Sequence, residues 1–511
     1  MSDWTDGYVT DIGYTYGYYA ELNPQLLKLA FTHAGFHFPQ IENACELGFG
    51  QGISINIHAS ASTIVWSGTD FNPAQAGFAQ ELARHAGNAT KLFDESFAQY
   101  CTRDDLPDFD YIGLHGIWTW ISDENRAVIV NFIKRKLKVG GVLYISYNTQ
   151  PGWSSMVPLQ HLMAEYANAL QPLGEPINKR IDGAIAFTDK LFATKPLFTR
   201  VNPAVIKDFE KLKLHNRHYL AHEYFNQNWL PMPFSKMAEW LSGAKLQYVC
   251  SANYTDQIEV INLTAEQQAL LQEITDPIFR QTVRDVMLNT IFRKDYWVKG
   301  ARSLSPLEKN ESLSNQSFML IKDVADVSLS IKGAAGEVKL NESIYKPLLE
   351  VMSNHKAKSL AQLEPLLKPQ GINFPQILQA MMMLIGIGAV VTVQDEAVIA
   401  KVKKSTDKLN LALMSKSRSS PEISFLASPV LGGGTYVGRF TQLFILGLKE
   451  GKRAPQDLAQ YVWNILAIQG QKINKDGKTL DTPEDNLAEL TEQANRFNQK
   501  QAPILKALQI I

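Results

Sequence analysis

The chain has 511 residues, 45% of them hydrophobic and 20% charged, which describes a soluble globular protein too long for one core and predicts two to four domains. Its 50 basic and 51 acidic side chains nearly cancel, leaving a net charge of -1 and excluding a general polyanion binder. Three scattered cysteines, Cys45, Cys101 and Cys250, lack metal-ligand spacing and predict a reducing compartment without structural disulfides.

The first residues, MSDWTDGYVT, have no basic start and no apolar core, so no secretory signal is expected there. NPQLLKLAFTHAGF (23–36) has helical spacing behind an Asn-Pro start. NACELGF reads as a buried strand. A glycine turn follows it, and ISINIHASAS opens a helix. IVWSGTDF (64–71) is a second strand, PAQAGFAQELARHAG a second helix stopped by Gly87, and KLFDESF a short third strand with its loop. DFDYIGLHG (108–116) and VLYISYN (142–148) are the fourth and fifth strands, separated by the helix ENRAVIVNFIKRKLKVGG. Strands alternating with helices predict right-handed βαβ units and a parallel sheet.

Residues 155–217 lose this rhythm and read as helices. PFSKMAEWLSGAKLQYVCSANY (233–254) returns to helix, turn and strand, and is expected to finish the same sheet. The expected division is a Rossmann-like α/β catalytic domain over 1–158 and 218–262, with a helical insertion over 159–217. A mainly helical middle domain is expected over 263–335 and a winged-helix-like domain over 336–511. The last rests on three helix patterns followed by AVVTV and a predicted strand AVIAKV; residues 401–420 read as a polar connector, and GGGT (432–435) as a turn. The longest apolar run, MMMLIGIGAVV (381–391), falls short of the roughly 20 residues that a bilayer span needs. FPQILQAMMMLIGI (374–387) carries no Lys or Arg, so this helix is expected to pack or to contact protein, not nucleic acid.

The stretch ACELGFGQG (44–52) carries the first chemical signal. A dinucleotide turn, G-x-G-x-x-G, would need its third glycine at Ile53, and Glu46 would repel a diphosphate. S-adenosylmethionine has no phosphate and is a cation. Glu46 would attract it, while Gly48, Gly50 and Gly52 let it approach the backbone. The alternative is an ordinary glycine turn. Asp70 ends the second strand, where an acid accepts from both ribose hydroxyls. Asp94 ends the third, where a carboxylate can accept from an adenine amino group; the alternative there is an exposed acid or helix cap.

The order ELGFGQG, GTDFNP, FDYIGLHGIWTW, LKVGGVLYISYNTQPGW resembles the class I methyltransferases. His115, Gly116 and Trp120, with the segment Ser146 to Trp153, resemble the branch carrying a methyltransferase regulatory domain. YTYGYYAELNP, HYLAHEYFN and FRKDYWVKG are similar to the rickettsial protein lysine methyltransferases that act on an outer membrane protein. The resemblance implies S-adenosylmethionine as cofactor, a homodimer formed through the helical insertion, and transfer to lysine ε-amines of a bacterial surface or outer-membrane protein. The alternatives are a small-molecule methyltransferase and a catalytically lapsed cofactor-sensing or protein-binding module.

Methyl transfer is an in-line displacement, and alignment supplies at most roughly 7–11 kcal/mol. With a reference pKa of about 10.4, a neutral lysine costs roughly 4–5 kcal/mol at pH 7, so groups near the methyl must hold the amine. The candidates at the strand ends are His115, Trp118, Trp120 and Tyr147. The rings serve as an aromatic wall for an alkylammonium or else as core. The candidate cofactor-binding set is Tyr16, Glu46, Gly48, Gly50, Gly52, Asp70, Phe71, Asp94, Glu95, His115 and Asn148; no metal ligand set is expected. Tyr14, Tyr16, Tyr18 and Tyr19 form either a lid or a packed strap. Pro151, Gly152 and Trp153 are expected to line the site, and FRKDYW (292–297) to be a salt-bridged interdomain strap.

Overall fold

The computed structural model describes residues 5, 7–10, 12–170 and 174–511. Seven strands build one sheet: β1 (Asn43–Leu47), β2 (Val65–Thr69), β3 (Lys91–Phe93), β4 (Phe109–Leu114), β5 (Leu137–Asn148), β6 (Leu246–Ser251) and β7 (Phe292–Lys299), in the order β3-β2-β1-β4-β5-β7-β6. The first five run parallel, and β7 lies antiparallel between β5 and β6. β4 is buried at every residue and β1 at all but its first, as expected for strands covered on both faces.

The helices α1 (Pro24–Ala34), α2 (Ile53–Ala61) and α3 (Pro73–Ala86) precede or connect the first strands, and α1 and α3 begin where side chains satisfy free backbone groups. Asn23 and Asn72 accept from the first amides of α1 and α3, each followed by Pro, and Gly35 and Gly87 close the same helices in the left-handed conformation. Between β5 and the helix Phe234–Ser242 that precedes β6, the chain inserts helices at Val157–Ala169, Ile177–Ala193, Leu197–Val201, Ala204–Lys213 and Arg217–Tyr224. They close around their own apolar core, which includes Met163, Ile181, Phe209 and Leu220.

Four expectations are corrected. FRKDYW is not an interdomain strap: it is most of β7, so the catalytic sheet extends past residue 262. The stretch 263–335 is mixed rather than mainly helical, since it also holds β8 (Ser317–Leu320) and part of the hairpin β9 (Ser330–Gly333) and β10 (Gly336–Lys339). AVIAKV is not a strand, nor is 401–420 a connector, because AVIAKV and residues 401–417 belong to one 22-residue helix, Glu396–Ser417. Its buried positions, Ile399, Val402, Thr406, Leu409, Leu413 and Met414, recur at helical spacing, and lysines between them dilute the pattern. A small sheet, β11 (Lys358–Ser359), β8 and β12 (Val390–Thr392), stands beside the helices Glu342–Met352, Leu360–Leu367 and Phe374–Gly386, so its central strand comes from upstream of those helices. The last of the three helices buries Ile377, Ala380 and Met381 to Ile385.

The C-terminal region is bound tightly to the sheet domain. All nine residues of α2 are buried, because the helix Glu396–Ser417 and the hairpin β13 (Phe425–Ser428) and β14 (Gly433–Tyr436) cover its outer side. GGGT is not a turn as a whole: Gly432 ends the turn, and Gly433 to Thr435 belong to β14. Gln394 donates to the Ala61 carbonyl at 2.8 Å, and the Gly434 amide to the Tyr18 hydroxyl at 2.7 Å. No helix of the described residues is long and apolar enough to cross a membrane.

Candidate active site

The turn after β1 is the first element of the site. Gly48 and Gly52 have φ of +72° and +68°, and a Cβ on either would stand 2.3 Å from Ile117 Cδ1 or 2.4 Å from Ala79 Cβ, so only glycine fits both the backbone and the space. The Gly50 amide donates to Asp70 Oδ2 at 2.8 Å, and the Asn72 amide to Asp70 Oδ1 at 3.0 Å. The acid at the end of β2 therefore ties down the turn at the end of β1.

Above these strand ends lies a cavity of about 660 Å3, within the range for a drug-sized ligand. Its charged lining is of one sign. Glu46, Asp70, Glu95 and Glu124 reach it, and among the described residues no Lys or Arg does. Glu46 is 3% exposed, and its Oε2 has no hydrogen-bond partner among the described residues. Burial, with the Asp70 charge adding to it, pushes the Glu46 carboxyl up to about 8. Burial pushes Asp70 up to about 6 against the pull of its two backbone amides. Both carboxyls thus lack the cation that would hold them ionised.

His115 stacks on Tyr19 with ring centroids 3.6 Å apart, and its Nδ1 lies 2.7 Å from the Tyr144 hydroxyl. Burial pushes its imidazole down to about 4, leaving it neutral at pH 7. Trp120 lines the cavity and donates from Nε1 to the Glu223 carbonyl at 3.0 Å. Tyr8, Tyr14 and Tyr19 of the N-terminal segment complete the wall. Tyr16 and Tyr18 turn elsewhere, Tyr16 onto Phe78 and Tyr18 to His58 and β14. The four tyrosines therefore divide between cavity wall and packed strap.

Around the cavity the structure gathers Glu46, Gly48, Gly50, Asp70, Phe71, Glu95, His115 and Trp120. It does not gather the remaining candidates. Trp118 is fully buried, edge-on to Trp240, with Nε1 directed at Met232. Tyr147 is fully buried on the far side and donates to Asp295 Oδ2 at 2.8 Å. Alternate residues of a strand face opposite sides; the side that carries Ile145 and Tyr147 packs into the core with Trp118 and Phe234. Asp94 is exposed, and its neighbour Glu95 lines the cavity instead, held by Arg103 at 2.6 Å. Gly52 packs on Ala79, and Trp153 is buried against Tyr224 and Trp229. Asn148 donates from Nδ2 to Glu223 Oε1 at 2.8 Å and so orients a second carboxylate.

Beside the main cavity is a smaller chamber of about 40 Å3. It shares Tyr8, Tyr14, Gly116 and Trp120 with the first and is closed by Tyr219, His222 and Glu223. Tyr8 has no motif around it, and Glu223 lies within HYLAHEYFN without being singled out by it. Glu223 reaches the site from the insertion, far along the chain from the glycine turn, and only the HYLAHEYFN segment pointed to that neighbourhood.

The family described as "predicted methyltransferase regulatory domain" matches residues 216–299. That span covers the helix bearing Glu223 and strands β6 and β7. Protein sll1526 of Synechocystis sp. is 42% identical over 512 residues, covering 99% of both chains. A Rickettsia prowazekii protein is 24% identical over 332 residues, 59% of each chain. Among solved structures, PKMT2 from Rickettsia typhi in complex with AdoHcy superposes with a TM-score of 0.70 at 15% identity, covering 97% of this chain and 99% of that one. The match in fold thus runs through the insertion and the C-terminal region as well as the sheet. This chain belongs to the family of the Synechocystis protein, its residues 216–299 match the predicted methyltransferase regulatory domain, and its fold is the one seen in PKMT2.

Proposed function

We propose that the protein is an S-adenosylmethionine-dependent protein lysine N-methyltransferase. One observation carries this reading: among the described residues the cavity is lined by carboxylates with no Lys or Arg, and Glu46 Oε2 is buried and unpaired. Such a lining favours a cationic donor and a cationic acceptor, and it disfavours a dinucleotide. S-adenosylmethionine, when bound, supplies an electrophilic methyl group on a sulfonium. Glu46 offers its free oxygen to the positive methionine end, and the turn at Gly48 and Gly50 lets the ligand reach the backbone. Asp70 keeps a second lone pair on each oxygen for ribose hydroxyls while it holds the turn. Neutral His115, pinned between Tyr19 and Tyr144, shapes the wall without adding a positive charge. The name PKMT2 and the bound AdoHcy of the Rickettsia typhi protein support the same reading.

The acceptor is proposed to be a lysine of a bacterial surface or outer-membrane protein, methylated in the cytoplasm. Three free, buried cysteines accord with that compartment. A homodimer through the insertion is supported by Leu197, Val201, Ile206 and Leu214, which lie 42–87% exposed on its helices. The test is to incubate the full chain and methyl-labelled cofactor with bacterial lysate and purified surface proteins, then map the label by mass spectrometry. Label on lysine side chains is expected. Label confined to small metabolites would overturn the protein substrate.

A further inference from the structure

The small chamber beside the cofactor cavity has its own chemistry. Tyr8, Tyr14, Trp120 and Tyr219 supply aromatic surface, and Glu223 and His222 supply polar atoms. Glu223 forms no ion pair among the described residues; its Oε1 accepts from Asn148 Nδ2. His222 is 5% exposed, and its Nε2 lies 3.1 Å from the Ile12 carbonyl. A carbonyl only accepts, so Nε2 carries the proton and Nδ1 is left as a bare acceptor. That Nδ1 is buried without a partner among the described residues. The chamber thus combines a carboxylate without a cation among the described residues and aromatic rings. Tyr219 is 40% exposed and also lines the chamber, so it stands at the boundary with solvent.

A compact group with several donors and a positive charge satisfies all of these features together. About 40 Å3 exceeds the roughly 10–15 Å3 needed for one water, leaving room for an ammonium head but not for a ring. Aromatic faces attract such a head, and a carboxylate gives it a charge-assisted hydrogen bond. We propose that this chamber seats the ε-ammonium of the acceptor lysine, with Glu223 as its counter-ion and Trp120 and Tyr219 as walls; this rests on the lysine reading above. Asn148, which holds the Glu223 carboxylate, is a positioning residue. The chamber adjoins the cofactor cavity through Tyr8, Tyr14, Gly116 and Trp120; once the ammonium passes a proton to the Glu223 carboxylate, the neutral amine is next to the place of methyl transfer, where the new N–C bond forms as the C–S bond breaks and S-adenosylhomocysteine leaves.

The test uses the full chain saturated with S-adenosylhomocysteine and titrated with n-butylamine, a cation at pH 7, by ligand-observed NMR. Saturable binding is expected for the wild type and none for n-pentanol, a neutral chain of similar length. Glu223→Gln and Tyr219→Ala are each expected to weaken butylammonium binding by about tenfold or more, with unchanged S-adenosylhomocysteine affinity as the control for folding. Glu223→Asp keeps the charge and is expected to retain part of the binding. Equal binding by wild type and Glu223→Gln would overturn the proposal, as would binding that disappears once S-adenosylhomocysteine fills the main cavity. In the labelling assay, Glu223→Gln is expected to raise KM more than it lowers kcat. Lysine labelling by Glu223→Gln at the wild-type kcat/KM overturns the chamber alone. No lysine labelling by the wild type overturns the lysine reading, while the titration still decides whether the chamber takes an amine.

Discussion

Two buried clusters of carboxylates sit at opposite faces of the same sheet, and they are treated in opposite ways. Behind β7, Asp285 and Asp295 are each 1% exposed and share Arg293: Nη1 reaches Asp285 at 2.7 Å, and Nε reaches Asp295 at 2.9 Å. The guanidinium also lies 4.3 Å from the centre of the Phe234 ring, and Tyr147 donates to the same Asp295 carboxylate. In front, Glu46 and Asp70 are also buried, at 3% and 7% exposure, but have no cation among the described residues; Glu46 meets the like charge of Asp70. A buried charge answered from within the chain holds the fold together. A buried charge that the chain does not answer awaits a partner from outside, and it costs stability until one arrives.

The largest expected effect breaks the answered cluster. Arg293→Met leaves two buried carboxylates without a cation and is expected to cost about 3–5 kcal/mol in urea unfolding. A loss below about 1 kcal/mol would mean that the guanidinium is not what holds β7 in the sheet. Next comes the acid that bridges turn and ligand. Asp70→Ala frees the Gly50 and Asn72 amides and is expected to lower cofactor affinity about 100-fold while the fold persists; each hydrogen bond to a charged group is worth about 1.5–3 kcal/mol. Unchanged affinity in calorimetry would show that the ribose lies elsewhere.

Glu46→Gln sharpens the contrast through pH. Its carboxyl is raised from 4.5 to about 8 in the fold, so the folded chain holds a proton that the unfolded chain has released. Stability contributed by that proton is complete below about 4.5 and is lost as pH rises through about 8. Asp70, raised from 3.8 to about 6, and Glu223, raised by burial to about 7, act in the same direction. The ligand-free protein is therefore expected to melt at lower temperature as pH rises from 6 to 8. Glu46→Gln is expected to flatten the slope and weaken the cofactor about tenfold. A slope identical to the wild type would place the titrating group elsewhere.

These contrasts also mark what the sequence could disclose. The first five strands and the glycine turn were legible because alternating strands and helices repeat locally, and Glu46 beside Gly48 was enough to exclude a diphosphate. FRKDYWVK was not, because a lone strand between helices, rich in charge, carries no apolar alternation; its charged side chains find partners only in the folded chain, Arg293 with Asp285 of the helix Pro277–Leu288 and Lys294 with Glu21. AVIAKV failed for the opposite reason. Six residues rich in β-branched side chains fit a strand or a helix, and only the positions through Met414 decide for the helix. Asp94 and Glu95 are adjacent acids, and which of them faces the cavity depends on a one-residue change of direction after β3. HYLAHEYFN drew attention to its segment, but not to Glu223 itself, whose meaning comes from Asn148 and Trp120 meeting it in space.

The smallest expected effect concerns Tyr147, the amine acceptor suggested by its place near the end of β5. Its hydroxyl serves Asp295 within the answered cluster, at 2.8 Å and fully buried. Tyr147→Phe keeps the ring and deletes one hydrogen bond to a carboxylate that retains its Arg293 partner. The expected cost is about 1–1.5 kcal/mol in unfolding, with methyl transfer and cofactor affinity unchanged. Tyr144, one turn of the pleat pattern away, reaches His115 on the cavity side, so Tyr144→Phe is the matched control. If Tyr147→Phe lowered kcat while leaving the unfolding midpoint in place, the sheet's two faces would have exchanged roles, and the division between answered and unanswered charge would fall with it.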